Sequence, residues 1–253
     1  MIFDYSIYVV AILAVLILGI SKGGFGGGLG MIATPIIALV TDPKLAAAII
    51  LPVLCVLDLS ALWVYRGKWA LNHLLRLLPG AAAGLLIGSL VFRQMPGYVI
   101  QLILGLICVV FTLIHWMKPD FEHTTIAREH PGWLAPVAGT VAGFTTFIAH
   151  AGAPPFNLYM LPLRLHRTTY VATSAAFFAT ANYIKLVPYS VLGLLPESNL
   201  RFSATLLPAA LAGFAIGTWL HKRVSDTLFY RIAYVVLFMA GLRLVYSGSS
   251  QWL

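Results

Sequence analysis

Apolar residues come in long unbroken runs, at 5–20, 29–41, 45–65, 74–92 and 97–117, and again at 133–149, 154–163, 168–188, 203–220 and 226–246. The runs do not alternate polar and apolar positions, as strands of a membrane barrel would, so helices are predicted. Several approach or exceed the ~20 residues that cross a bilayer. One sizeable polar connection, Lys118 to Gly132, carries Asp120, Glu122, Arg128 and Glu129. It divides the chain into a first transmembrane repeat (1–117), a linker (118–132) and a second repeat (133–253). The predicted fold is all-α, a polytopic membrane bundle of about eight transmembrane helices, some of them broken or re-entrant.

The two halves repeat. Leu77-Leu78-Pro79-Gly80-Ala81-Ala82-Ala83-Gly84-Leu85-Leu86-Ile87-Gly88 aligns without a gap with Leu206-Leu207-Pro208-Ala209-Ala210-Leu211-Ala212-Gly213-Phe214-Ala215-Ile216-Gly217, and basic residues follow each copy. Internal duplication is a common construction of transporters. Gly84, Gly88, Gly213 and Gly217 form G-xxx-G patterns, whose expected role is close helix packing.

Each half is interrupted once. Ser21-Lys22-Gly23-Gly24-Phe25-Gly26-Gly27-Gly28-Leu29-Gly30 places six glycines within eight positions. Each glycine costs a helix interior roughly 1 kcal/mol relative to alanine, so a break is predicted here. In the repeat register this stretch faces Phe144 to Pro155, where His150, Gly152, Pro154 and Pro155 break the second copy. Matching interruptions in two halves point to a transporter binding site.

Composition agrees with a membrane protein: 60% of the 253 residues are hydrophobic, 9% are charged, and the mean hydropathy is +0.91. The amino-terminal run lacks a basic n-region and a cleavage site, and is expected to be retained. The net charge of +8 is scattered over short loops and forms no block, which argues against nucleic acid as a partner. It suits the positive-inside rule instead. If each broken segment enters and leaves on one side, Arg66, Lys68, Arg76, Lys118, Arg128, Arg164, Arg167, Lys222, Arg223 and Arg231 share one face. Lys44, Arg93, Arg201 and Arg243 then lie on the other. That arrangement inverts the halves and puts both termini outside the cytoplasm.

Three charged residues fall inside apolar runs: Lys22, Asp58 and Lys185. An ionisable group at membrane depth is costly and marks a function by default. Lys22 is a candidate anion-attracting charge beside helix N–H groups at the start of 29–41, or a lysine snorkelling to the interface. Asp58, which the repeat sets opposite Asn182, is either an internal salt-bridge partner or a proton-coupling carboxylate. Lys185 shares its helix with Asn182, Thr173 and Ser174; the two hydroxyls either line a path or bond their own i−4 carbonyls. His150 is a candidate gate, an anion donor or a helix cap, and Asn157 an oxyanion donor or a structural amide. The candidate substrate-binding set is Ser21, Lys22, Gly23, Gly24, Gly26, Gly27, Gly28, Gly30, Thr34, His150, Gly152, Asn157, Thr173 and Ser174. Asp58, Asn182 and Lys185 form the polar intramembrane, coupling set.

Enzyme motifs are missing. No G-x-x-x-x-G-K-[ST], H-E-x-x-H or G-x-S-x-G occurs, and a G-x-G-x-x-G register fails at Leu29. Cys55 and Cys108, both inside apolar runs, are expected to be buried unpaired thiols, and no cofactor or metal is expected.

The run GGFGGGLGMIATP, the duplicated LLPxAxAGxxIG and IAHAGAPPFNLYMLPLRLHRTTYVATSAAFF followed by NYIKLVPY resemble the TauE/SafE sulfite-exporter family, from about Gly19 to Leu244. The resemblance implies a multi-pass protein of the bacterial inner membrane that moves sulfite, sulfoacetate or a related sulfur-containing anion. Its glycine-rich turns map onto Gly23 to Gly30 and His150 to Pro155, the second with His-Ala-Gly-Ala-Pro-Pro in place of the more usual glycine triplet. The expected function is secondary transport of a small sulfur oxyanion or organosulfonate, with one half rocking against the other and protons as a possible coupling ion. The alternatives are an anion channel and a non-transporting membrane assembly component.

Overall fold

The computed structural model describes residues 5–24, 30–117, 131–220 and 226–250. Ten α-helices occur among them: α1 (Tyr5–Gly24), α2 (Ala33–Ala38), α3 (Pro43–Val64), α4 (Leu71–Gln94), α5 (Gly97–Met117), α6 (Leu134–Ala149), α7 (Ala153–Met160), α8 (Arg167–Val191), α9 (Glu197–Leu220) and α10 (Asp226–Ser249). No strand occurs among the described residues, so the helical membrane bundle stands. Helices α1, α3, α4 and α9, together with Gly97–Ile114 of α5, are long and apolar enough to cross a bilayer. Most of the expected linker falls outside the described residues.

Two boundaries differ from expectation. Helix α1 does not stop at residue 20 but continues through Ser21–Gly24, because its glycines are packing surfaces. A Cβ on Gly19 would lie 2.2 Å from the Ala210 carbonyl oxygen, one on Gly23 2.2 Å from that of Phe214, and one on Gly24 2.3 Å from that of Gly217. Backbone contact this close compensates the helix cost of glycine. The run expected at 29–41 shrinks to a 3-10 turn, Gly30–Ile32, and the two-turn α2.

These contacts also give direction. Gly19 meets α9 at Ala210 and Gly24 meets it at Gly217, so α1 and α9 run parallel. Gly80, Gly84 and Gly88 of α4 meet Pro136, Thr140 and Phe147 of α6, again parallel. Gly105 meets Gly241, whereas Gly248 meets Tyr98 and Leu102, so α5 and α10 are antiparallel. Helices α3 and α8 pair Cys55 with Tyr183 and Asp58 with Asn182, and Ala70, just beyond α3, with Thr173, also antiparallel. Equivalent helices of the two halves thus oppose each other, and the halves are inverted. They are also interlaced: α1 of the first half packs on α9 of the second, and α6 of the second on α4 of the first.

Helix α2 packs against α1. The second interruption turns the chain back. After α6, the backbone at Gly152 returns so close to Ala142 that an added Cβ would lie 2.6 Å from its carbonyl oxygen. The reversal is made at His150, a left-handed residue (φ 53°) in a conformation non-glycine residues seldom adopt. Apolar side chains such as Leu75, Leu86 and Leu90 of α4, Leu106 and Val110 of α5 and Met239 of α10 point outward, as a lipid-facing surface requires. Cys55 and Cys108 are buried free thiols.

The close α4–α6 approach is testable. A Cβ on Gly84 would sit 2.0 Å from the Thr140 carbonyl oxygen, whereas one on Gly132 meets nothing within 4 Å. Gly84→Ala is expected to cost about 1–3 kcal/mol, and Gly132→Ala no more than about 0.5 kcal/mol, in unfolding of the detergent-solubilised protein. Equal effects would contradict the packing.

Candidate functional site

Where α1 and α6 end inside the bundle, their last carbonyls lose helical partners, and with no lipid-phase water the protein must supply donors. Tyr65 Oη–H donates to the Gly23 carbonyl at 2.7 Å, and Tyr189 Oη–H to that of Phe147 at 2.7 Å. Lys185 Nζ donates to the Thr146 carbonyl at 2.9 Å. Both broken ends are therefore held by side chains from elsewhere in the chain.

Lys22 lies in the last turn of α1 and not at the break beside the N–H groups of 29–41, where it was expected. In that last turn the helix dipole favours a cation. It does not snorkel: it is buried, ion-paired with Asp58 Oδ1 of α3, and its Nζ stands 5.3 Å from the centre of the Phe178 ring. The other carboxylate oxygen, Oδ2, accepts from Asn182 Nδ2 of α8 at 2.7 Å. Three helices thus meet on one buried carboxylate.

A second cluster lies one turn along α8. Lys185 Nζ stands 2.7 Å from His150 Nδ1, and His150 Nε2 stands 3.0 Å from the Ala47 carbonyl oxygen of α3. A carbonyl only accepts, so Nε2 carries the hydrogen and Nδ1 accepts from the lysine. With both ring nitrogens engaged, His150 has no N–H left for an anion in this state. Its backbone caps α6 while its side chain ties α3 to α8.

Between the clusters is a small cavity lined by Lys22, Leu54, Thr146, His150, Ala153, Phe178 and Asn182. At about 20 Å³ it has room for a water but not for an oxyanion unless the lining moves. The structure therefore gathers Lys22, Asp58, His150, Asn182 and Lys185 from four segments distant in sequence.

Other candidates fall elsewhere. Gly23 and Gly24 face the α9 backbone, so their closeness serves helix packing and not ligand approach. Thr173 donates to the Thr169 carbonyl at 2.7 Å and accepts the Ala70 N–H at 2.8 Å, holding the start of α4. Asn157 Oδ1 accepts from Tyr170 Oη–H at 2.6 Å, which makes it a structural amide here. Gly152 packs against Ala142, Thr146 and Phe178. Ser21, Thr34 and Ser174 are buried, with Thr34 Oγ1 lacking a hydrogen-bond partner. Gly30 opens the 3-10 turn, and Gly26, Gly27 and Gly28 lie outside the described residues. Sequence reasoning missed Phe178, Thr146, Tyr65 and Tyr189. Only Thr146, one turn before His150, had a positional signal.

Removing one member of a buried pair costs more than removing both, because the survivor is left uncompensated. Asp58→Ala is expected to lower unfolding free energy by about 3–5 kcal/mol, and Lys22→Met with Asp58→Leu to recover most of that loss. Thermal unfolding of the two variants measures this, and a double variant no more stable than Asp58→Ala would contradict a coupled pair.

Residues 11–244 match the family described as Sulfite exporter TauE/SafE. No similar curated protein and no similar solved structure was found. With nearly the whole chain matched, and with its inverted helical halves built around a buried polar centre, the protein belongs to the TauE/SafE family of membrane anion transporters.

Proposed function

We propose that the chain is a secondary transporter for a small sulfur oxyanion, such as sulfite, or a related organosulfonate, and that the cavity between Lys22 and His150 is its binding site. The supporting observation is charge. Among the described residues, two buried lysines, Lys22 and Lys185, are set against one buried carboxylate, Asp58. Surplus positive charge at membrane depth is costly and invites an anion. The protein's own residues would do the work: Lys22 attracts the oxyanion, Phe178 and Leu54 exclude water, and Asn182 holds Asp58.

Protons are the coupling ion in this reading. A proton on His150 Nδ1 removes the acceptor that Lys185 uses, while Asp58 stays ionised between Lys22 and Asn182. That change frees Lys185 for an anion, so anion and proton would travel together. The moving bodies would not be the sequence halves, which are interlaced by their tightest contacts. They would be the mixed pairs α1–α9 and α4–α6, shifting about the α3–α8 centre.

In proteoliposomes, sulfite flux should saturate, show counterflow and respond to an imposed proton gradient. Lys22→Met with Asp58→Asn should reduce flux to background while the protein still elutes as a single species. Full flux in that variant would refute the site, and flux without counterflow would indicate a channel.

The membrane orientation in this reading follows the positive-inside rule. Arg66, Lys68 and Arg164 sit at one end of the bundle, which would face the cytoplasm of a bacterial inner membrane, with both termini on the opposite side. Alkaline phosphatase fused after Leu253 should then be active, and green fluorescent protein at that point dark.

A further inference from the structure

The cavity contains an atom that anion transport alone does not explain. Asn182 is 2% exposed, and its Oδ1 has no hydrogen-bond partner. The amide orientation is fixed by its neighbour. An ionised Asp58 can only accept, so the NH₂ must face Oδ2, as it does at 2.7 Å. Asn182 lines the cavity. With Nδ2 turned to Asp58, its remaining polar atom, Oδ1, is a bare buried acceptor, and an unmatched acceptor is costly there.

An acceptor is an odd thing to offer an anion whose oxygens are all acceptors. Against such a ligand Oδ1 would be repulsive, with no hydrogen between the two oxygens. No group of the lining donates to Oδ1. His150 has both ring nitrogens engaged, Thr146 Oγ1 lies 3.4 Å from Lys185 Nζ, and Leu54, Ala153 and Phe178 are apolar. A ligand that fits must place an anionic oxygen on Lys22 and a hydrogen on Asn182. Charge sets a second limit. Asp58 balances Lys22, so before His150 takes up a proton only the one charge of Lys185 remains for the ligand to match.

Resting on the proposed anion site, we infer that it selects a singly charged oxyanion that still carries a donor hydrogen, with Lys22 Nζ holding a charged oxygen and Asn182 Oδ1 accepting that hydrogen. In the sulfite series this is hydrogensulfite and not the sulfite dianion. Asn182 is then a specificity-determining residue. It also spans substrate and Asp58, since one edge of its amide reads the ligand hydrogen and the other holds the carboxylate.

Methanesulfonate tests this directly. It keeps the single charge and a sulfur–oxygen face, but it carries a methyl group and three bare oxygens and so has no donor hydrogen. Titration calorimetry of the purified full chain, at mildly acidic pH, should show hydrogensulfite binding about tenfold tighter than methanesulfonate. Asn182→Leu should remove that preference. Should the variant not fold, the comparison on the unmodified protein decides alone. Methanesulfonate binding as tightly as hydrogensulfite would overturn the selectivity and leave the anion site intact. Absence of binding by either anion, together with absence of sulfite flux, would overturn the site itself.

Discussion

A charge taken to membrane depth must find its counterpart inside the protein, because lipid offers none. The described centre of this molecule is organised by that constraint. Asp58 binds Lys22 of α1 and Asn182 of α8 at once. One turn further along α8, Lys185 is held by the end of α6 and by His150. Removing the carboxylate would leave Lys22 buried without its counter-charge and free the Asn182 amide. The same contacts fix where α1 and α6 stop, so the electrostatics and the break geometry are one arrangement.

Around this centre, the fold is held by glycine. Parallel pairs α1–α9 and α4–α6 approach until backbone touches backbone at Gly19, Gly24, Gly80 and Gly84. Between apolar helices in lipid there is no hydrophobic drive to associate, so close van der Waals packing of small residues supplies the attraction. That requirement explains why so many glycines lie inside helices here, where propensity alone would forbid them. Helix α8 shows the converse. It is 25 residues long yet absent from the helices apolar enough to cross a bilayer, because its Thr173, Ser174, Asn182 and Lys185 face the interior. Its neighbours provide the apolar surroundings.

Much of this was legible in the chain. The apolar runs marked the helices, and the charge bias with the duplicated LLPxAxAGxxIG implied inverted halves that the helix directions now display. The repeat set Asp58 opposite Asn182, but that the two share a hydrogen bond is visible only in the packed bundle. Lys22 was harder to place, because the glycine run looked like a break from its first residue. Only the α9 surface shows why the helix continues to Gly24. Thr173 and Asn157 looked like pathway residues, but their partners, Thr169, Ala70 and Tyr170, are revealed by three-dimensional proximity.

Hydrophobic length, the internal repeat and the rarity of buried charge are properties of the chain as written, and they determined a duplicated membrane bundle with three suspicious ionisable residues. Pairing was beyond them. Which cation meets Asp58, which nitrogen of His150 holds its hydrogen, and which edge of Asn182 is left bare all depend on distances between segments more than 30 residues apart. Local pattern constrains a residue's own helix and the face it occupies, but an ion pair is a relation between two helices. Only the packed bundle, with α1, α3, α6 and α8 converging on one small cavity, decided it.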